Sequence, residues 1–336
     1  MAVPDHVRAV HLVARPSGAL TTDVFRTADV PVTPPAPGRL LVRVEHLGLA
    51  AVLRERMDPD ADLPFPPLAL HEPVNGPVIG TVVLPDAGSV PVGALVAFHG
   101  PWAEYAEVDA SSVQVLDPDL LPSAEYHLAA GNGATALLGV RDVAAVGDGD
   151  VVVVTGAAGG VGSLAGQIAR RLGAARVMGT AGSAEKCRWL VDELGFDVAL
   201  DYHDDGFASA LRDAAIEGVT AALDLVGGTQ LEAVVAAAAP HARIAIGGAL
   251  ATQQAGAPWP RIDTQQVLLK GVHLRGFALL HARHVLSEWP TLFRRWLDEG
   301  LVFPHTVVDG GLDAAPQALV DVLAGRYRGH VSVRVA

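Results

Sequence analysis

The stretch Val151-Val152-Val153-Val154-Thr155-Gly156-Ala157-Ala158-Gly159-Gly160-Val161-Gly162-Ser163 decides the fold. Its first five residues carry no charge and no glycine, which reads as a strand buried on both faces. The turn after them has no bulky side chain, and a helix follows from Ser163 to Leu172 with Gly173 as its stop. Strand, glycine turn and helix N-terminus in that order present backbone amides to a pyrophosphate, and glycine permits close approach. The glycines read G-x-x-G-G-x-G, not the standard dinucleotide G-x-G-x-x-G, and no Gly-Lys-Ser/Thr follows, which disfavours a P-loop ATPase. A flexible helix cap with no ligand is the competing reading.

Outward from this point, strands and helices alternate. Strands are expected at Ala175–Thr180, Val198–Leu200, Ala221–Val226, Arg243–Ile246 and Leu268–Leu274, and helices at Ala184–Leu194, Phe207–Ala215 and Leu231–Ala239. Six apolar strands with helices between them mean an α/β fold with a doubly wound parallel sheet. On the other side, residues 7–115 hold short strand-like runs, among them Leu40–Leu47, Gly80–Leu84, Val92–Phe98 and Ala103–Val108, separated by Gly, Pro and Asp turns. The Arg54–Val78 stretch holds six prolines and reads as an irregular loop, a candidate cleft wall. Helices at Leu286–Glu299 and Ala315–Leu323 precede an alternating strand, His330–Val335, that would return to the β-rich part. The doubly wound domain therefore reads as an insertion in a mostly β partner.

The end of the second strand selects the cofactor. An NAD site usually places Asp or Glu there for the ribose hydroxyls. This chain has Thr180-Ala181-Gly182-Ser183-Ala184-Glu185-Lys186, whose hydroxyl, amide and ammonium groups suit the 2′-phosphate of NADP. Ser183 and Lys186 are the candidates, with Tyr202 beyond the third strand beside them. A capped helix start with a solvated lysine, and an exposed tyrosine, are the alternatives. Glycine turns at Gly227-Gly228 and Gly247-Gly248 would let a cofactor pass close to backbone, and Asp224 reads as a turn-capping carboxylate.

The 336 residues, half of them apolar, suit two domains. A net charge of −13 argues against a general nucleic-acid binder. The single cysteine, Cys187, points to a reducing compartment, so cytoplasmic is the expectation, with no secretory leader or membrane span evident. Of 24 basic residues only Lys186 and Lys270 are lysines. No metal site is expected: thiolate partners are lacking, and His281 and His284 at i, i+3 read as a solvated helix face.

The chain resembles the zinc-independent medium-chain dehydrogenase/reductases, and within them the NADPH-dependent double-bond reductases. The resemblance rests on Gly133-Ala134-Thr135-Ala136, Ala157–Ser163 with Gln167, Ala181–Cys187, Glu193–Asp197, Asp201-Tyr202, Asp224–Gly228, Arg243-Ile244 with Gly247, Arg275-Gly276-Phe277, Trp296–Gly300 and Gly310-Gly311-Leu312. It implies a GroES-like catalytic domain from residues 1–124 and 300–336, a Rossmann NADP-binding domain from 125–299, and a homodimer. It implies reduction of the carbon–carbon double bond of an α,β-unsaturated carbonyl compound. Gly159, Gly160, Val161 and Gly162 would hold the pyrophosphate, and Ser183, Lys186 and Tyr202 the 2′-phosphate. Gly227, Gly247 and Phe277 would lie along the ribose and nicotinamide. The chain departs from the family at Val52-Leu53-Arg54 (Tyr-Met-Arg), at Leu137 (an aromatic), at Leu225 (Asn), and in Gly325-Arg326-Tyr327-Arg328-Gly329-His330, which lacks the tail's Asn and Lys.

Conjugate reduction places charge on an enolate oxygen that a hydroxyl donor can stabilise. Tyr105, Arg54 and Tyr327 are the candidate catalytic groups, with Tyr126, His71 and His99 also considered. Quinone reduction, zinc-free alcohol or ketone chemistry, and NADP binding without turnover are the alternatives.

Overall fold

Short apolar segments of the first third become strands in the computed structural model, which describes residues 3–32, 34–61, 63–85, 90–253 and 259–336. They are β1 (His6–Leu12), β2 (Phe25–Pro31), β3 (Arg39–Gly48), then helix α1 (Val52–Arg56), β4 (Asn75–Leu84), β5 (Leu95–Pro101), β6 (Tyr105–Asp109) and β7 (Gln114–Val115). β1 and β2 pair antiparallel, Val10 opposite Thr27. Strand β5 begins three residues later than the expected Val92, because Gly93 turns the chain at φ +86°. Helices α2 (Ala124–His127) and α3 (Ala129–Leu137) follow, the latter running into a π-helical turn at Leu138–Val143.

The alternating region gives β8 (Val151–Val154), α4 (Gly162–Arg171), β9 (Arg176–Ala181), α5 (Ala184–Leu194), β10 (Val198–Asp201), α6 (Phe207–Ala214), β11 (Val219–Asp224), α7 (Gly228–Ala236) and β12 (Ala238–Ile246). Next come α8 (Thr264–Lys270), β13 (His273–Gly276), α9 (Arg283–Asp298), β14 (His305–Val308), α10 (Ala315–Leu323) and β15 (His330–Arg334). The strand expected over Leu268–Leu274 is thus helix in its first three residues, turn and irregular chain in the next two and strand only in its last two. Asp263 caps α8 by accepting the Gln265 and Gln266 amides, and Gly271 at φ +61° stops it, so extended chain resumes only at His273.

β8 to β13 form one parallel sheet in the order β10-β9-β8-β11-β12-β13. The order reverses direction between β8 and β11, the switch point at which open α/β sheets take ligands. One face of the sheet is covered by a cluster that includes Met178, Phe207, Leu211, Val219, Leu231, Val234 and Ile244. The architecture is therefore a doubly wound Rossmann sheet together with a mostly β domain.

The chain divides into two units. One comprises Met1–Ala129, Thr306–Tyr327 and Val331–Ala336; the other comprises Ala130–His305 and Arg328–His330. The first holds the sheet β14-β15-β3-β4-β5-β7, with β6 also on β3. β15 returns antiparallel to β3, Val333 opposite Leu47. Leu312, Leu319, Val331 and Val333 from the chain's end join Val10, Leu40, Val44 and the fully buried Trp102 in its core. Burial of such side chains contributes about 1.5–3 kcal/mol each, which makes the tail part of this unit's stability.

Candidate functional site

The turn after β8 is set by hydrogen bonds to its neighbours. The Gly156 amide donates to Thr180 Oγ1 at 3.0 Å and the Ala157 amide to the Thr180 carbonyl at 2.9 Å. Asp224, fully buried, accepts from Thr155 Oγ1 at 2.6 Å and from the Gly227 amide at 2.9 Å. Burial raises its carboxyl pKa against these donors. Asp224 thus ties the ends of β8 and β11 together as a turn-capping group.

Glycine is required in the loop for steric reasons. A Cβ at Gly162 would lie 2.4 Å from the Gly156 carbonyl oxygen, and one at Gly160 2.4 Å from Asn132 Nδ2. At Gly159 a Cβ would meet only the Gly156 oxygen, at 3.4 Å, so the space beside it is open. The first turn of α4 leaves the Val161 and Gly162 amides without intrahelical acceptors, at the positive end of the helix dipole. Ser163 Oγ is buried and has no partner among the described residues.

At the next strand end, Ser183 caps α5 by accepting the Lys186 amide at 3.2 Å. The Lys186 ammonium is pushed below its usual range by burial and then by the Arg328 charge, with Glu185 opposing. The Tyr202 hydroxyl would lie 2.9 Å from a Cβ at Gly182, which places it against the same loop. Gly227 sits at φ +71° in the turn after β11. Gly247 packs so closely on Phe277 that a Cβ would approach the ring to 2.6 Å. All ten cofactor candidates therefore lie at carboxyl ends of the six parallel strands or at the starts of the following helices.

The tail covers part of this edge. The Gly329 amide donates to the Ala158 carbonyl at 2.8 Å, and Gly329 bridges Gly159. His330 Nδ1 lies 2.9 Å from Asn132 Nδ2, while its Nε2 has no partner among the described residues. Burial, with His305 nearby, pushes the His330 pKa down to about 4, so the ring is neutral. Asn132 and Arg328 were not singled out from sequence. Asn132 directly precedes Gly133, and Arg328 sits in the tail string Gly325–His330 between Tyr327 and His330, so no local spacing marks either.

The three catalytic candidates are not brought together. Tyr105 on β6 borders a small pocket of about 210 Å³ with Arg43 and Thr81. Arg54 on α1 donates to the Gly18 carbonyl at 3.0 Å. Tyr327 packs against the core of the β-rich unit, where burial raises its phenol pKa.

The β-rich unit has its own pocket of about 880 Å³, lined among others by Val52, Arg56, Phe65, Pro66, Asn75 and His99. The expected wall residues between Arg54 and Val78 supply most of it. Arg56, only 6% exposed, donates to Asn75 Oδ1 at 2.9 Å, to the Asn75 and Pro66 carbonyls at 3.1 and 3.3 Å, and lies 3.4 Å from His99 Nε2. Each of these partners is an uncharged acceptor, and burial lowers the guanidinium pKa. Beside it, burial and the Arg56 charge hold His99 below its usual pKa.

Residues 160–298 match the zinc-binding dehydrogenase family and residues 8–116 match the N-terminal domain of oxidoreductase. The NADPH-dependent curcumin reductase of Escherichia coli is 32% identical over 97% of this chain and 96% of its own. Bovine prostaglandin reductase 1 is 30% identical over 96% of both. The chain belongs to the zinc-independent medium-chain dehydrogenase/reductases. The crystal structure of CurA from Vibrio vulnificus in complex with NADPH superposes on this medium-chain reductase with a TM-score of 0.91, at 30% identity, covering 98% and 99% of the two chains.

The matched family's description mentions zinc. Among the described residues of this medium-chain reductase, no three His, Cys, Asp or Glu converge to hold a metal ion, and Cys187 is buried on α5. The residues do not fit a zinc site. They do fit a dinucleotide: the open space at Gly159, the unpartnered Ser163 hydroxyl and the cations near Ser183 match its phosphates. Among the described residues no helix is long and apolar enough to cross a membrane.

Proposed function

We propose that the protein reduces the carbon–carbon double bond of α,β-unsaturated carbonyl compounds with NADPH, by hydride transfer to the β-carbon. The observation that carries the cofactor choice is the end of β9, which closes in Ala181-Gly182-Ser183 where an NAD site has a carboxylate, with Lys186 half-buried on the following turn. Kinship with the curcumin and prostaglandin reductases supports the reaction class.

The bound reduced nicotinamide supplies the hydride. The chain's own residues bind and orient. The amides of Gly160, Val161 and Gly162 would hold the pyrophosphate, with Gly159, whose own amide donates to the Gly156 carbonyl at 3.0 Å, leaving the room for it, and Ser183, Lys186 and Tyr202 would take the 2′-phosphate. Gly227, Gly247 and Phe277 would border the ribose and nicotinamide. The pocket of the β-rich unit holds an apolar substrate, and its buried Arg56 favours negative charge developing on the substrate oxygen.

Tyr105 and Tyr327 stand as the candidate proton donors, and Arg54, which keeps its proton, as a candidate hydrogen-bond donor to the enolate oxygen. A donor among them shows as a fall of about 100-fold or more in kcat in Tyr105→Phe, Arg54→Met or Tyr327→Phe, with NADPH affinity kept. Three variants with unchanged kcat remove the set.

We further propose a cytoplasmic homodimer joined through the nucleotide domains. β13 is an edge strand, and α8 beside it in sequence carries Leu268 and Leu269, 77% and 72% exposed. The domain division 1–124 with 300–336 against 125–299 belongs to the same reading.

The test follows loss of reduced nicotinamide absorbance with a panel of enones, quinones, ketones and alcohols. Turnover is expected with enones. Turnover confined to quinones, reversible alcohol oxidation, or tight NADPH binding without any turnover would each overturn the assignment.

A further inference from the structure

Arg328 has two neighbours on α5. Its Nη2 lies 3.5 Å from Glu185 Oε1, and its guanidinium carbon lies 5.5 Å from the centroid of the Trp189 ring. The two α5 residues are four apart, so they share one face of the helix, and Lys186 follows Glu185 directly. Trp189 is itself held, buried and donating its indole N–H to Glu193 at 3.1 Å. A guanidinium over a ring makes that contact with its face, and of its five N–H groups the 3.5 Å approach to Glu185 involves only those of Nη2.

The backbone that carries Arg328 is fixed from the other side. Gly329 is bonded to Ala158 on the phosphate loop, and a Cβ there would sit 2.1 Å from the Pro304 carbonyl oxygen. His330 is anchored by Asn132. Two cations, Arg328 and Lys186, therefore share one exposed carboxylate, Glu185, at the start of the helix that Ser183 caps. Two cations brought together at one helix start suit a dianion.

We propose that Arg328 is a second cation for the adenosine 2′-phosphate, delivered to the Ser183–Lys186 helix start by the tail segment Arg328–His330. The inference rests on the NADPH reading above and adds a residue to it. Preference for the phosphorylated cofactor is then set jointly by the loop after β9 and by a segment some 140 residues later in the chain.

The experiment measures binding of NADPH, NADH, 2′,5′-ADP and 5′-AMP to the full-length protein by calorimetry. Arg328→Met, which keeps the stem over Trp189, is expected to weaken NADPH and 2′,5′-ADP by about 10- to 100-fold, with NADH and 5′-AMP changed less than about twofold. Arg328→Lys is expected to recover part of the loss. Equal weakening of phosphorylated and unphosphorylated ligands, or no weakening, overturns the assignment. Lys186→Ala run in parallel separates the two layers. If it abolishes the NADPH preference while Arg328→Met does not, only the Arg328 role falls; if neither variant changes the preference, the cofactor reading falls with it.

Discussion

Two glycines three residues apart give opposite expectations for the same substitution. In Gly162→Ala the new Cβ would stand 2.4 Å from the Gly156 oxygen and 2.7 Å from Ala157 Cα, both backbone atoms of the loop that β8 and β9 hold in place. Overpacking of this kind costs about 1–3 kcal/mol. For a unit of this size each kcal/mol lowers the melting temperature by about 2–4 °C, so a drop of roughly 2–12 °C is expected. In Gly159→Ala the Cβ meets nothing nearer than 3.4 Å and the fold should be undisturbed, but the methyl group would fill the space proposed above for the pyrophosphate. The melting temperature should move by less than about 2 °C, while NADPH affinity falls by about tenfold or more. Differential scanning fluorimetry with and without NADPH reads both quantities. If Gly159→Ala binds NADPH normally, or melts as low as Gly162→Ala, the loop is a structural turn and the cradle argument fails.

Asp224→Ala strands the Thr155 hydroxyl and the Gly227 amide in a dry site and should destabilise by about 2–5 kcal/mol in urea titration; Asp224→Asn should keep one bond and lose roughly half as much. His330 is neutral in the fold with its pKa near 4, whereas the unfolded side chain takes a proton near 6.5. Stability is therefore full above the unfolded value and falls as pH drops from 6.5 to about 4, by up to roughly 3 kcal/mol, a loss that His330→Gln should flatten in pH-resolved melts. A Leu268→Glu, Leu269→Glu double variant should elute as a monomer by light scattering if α8 lies in the dimer interface; an unchanged mass refutes that placement. Arg56→Met should raise KM for enones more than it changes NADPH affinity, and an effect confined to NADPH would remove the pocket from the substrate path.

Strands β8 to β12 are legible in the sequence because each contains a short apolar run and several following helices carry their own stop, whereas β13, His273-Leu274-Arg275-Gly276, has no such run. Ser183 and Gly195 bracket α5 at the expected residues, the first as a capping acceptor and the second at φ +70°. α10 falls over the expected Ala315–Leu323. In α8, Leu268-Leu269 is as apolar as a strand, but Asp263 and Gly271, the helix's start and stop signals, outweigh that run. β14 has four half-buried residues and no alternation, so periodicity offers nothing to detect. At the site, local motifs such as Gly159–Gly162 and Ser183–Lys186 declare themselves because their geometry is built by neighbours in sequence. Arg328, Asn132 and Arg56 act through tertiary partners, and no spacing rule announces a guanidinium on a distant tryptophan or an arginine among backbone carbonyls.

The last turn of the chain belongs to the β-rich unit up to Tyr327, to the Rossmann unit for three residues, and to the β-rich unit again from Val331. A trim of even a dozen carboxyl-terminal residues would therefore injure two things at once, removing β15 from the antiparallel sheet and unroofing the glycine loop where Gly329 lies on Ala158. Affinity handles and fusion partners are better carried at the other terminus.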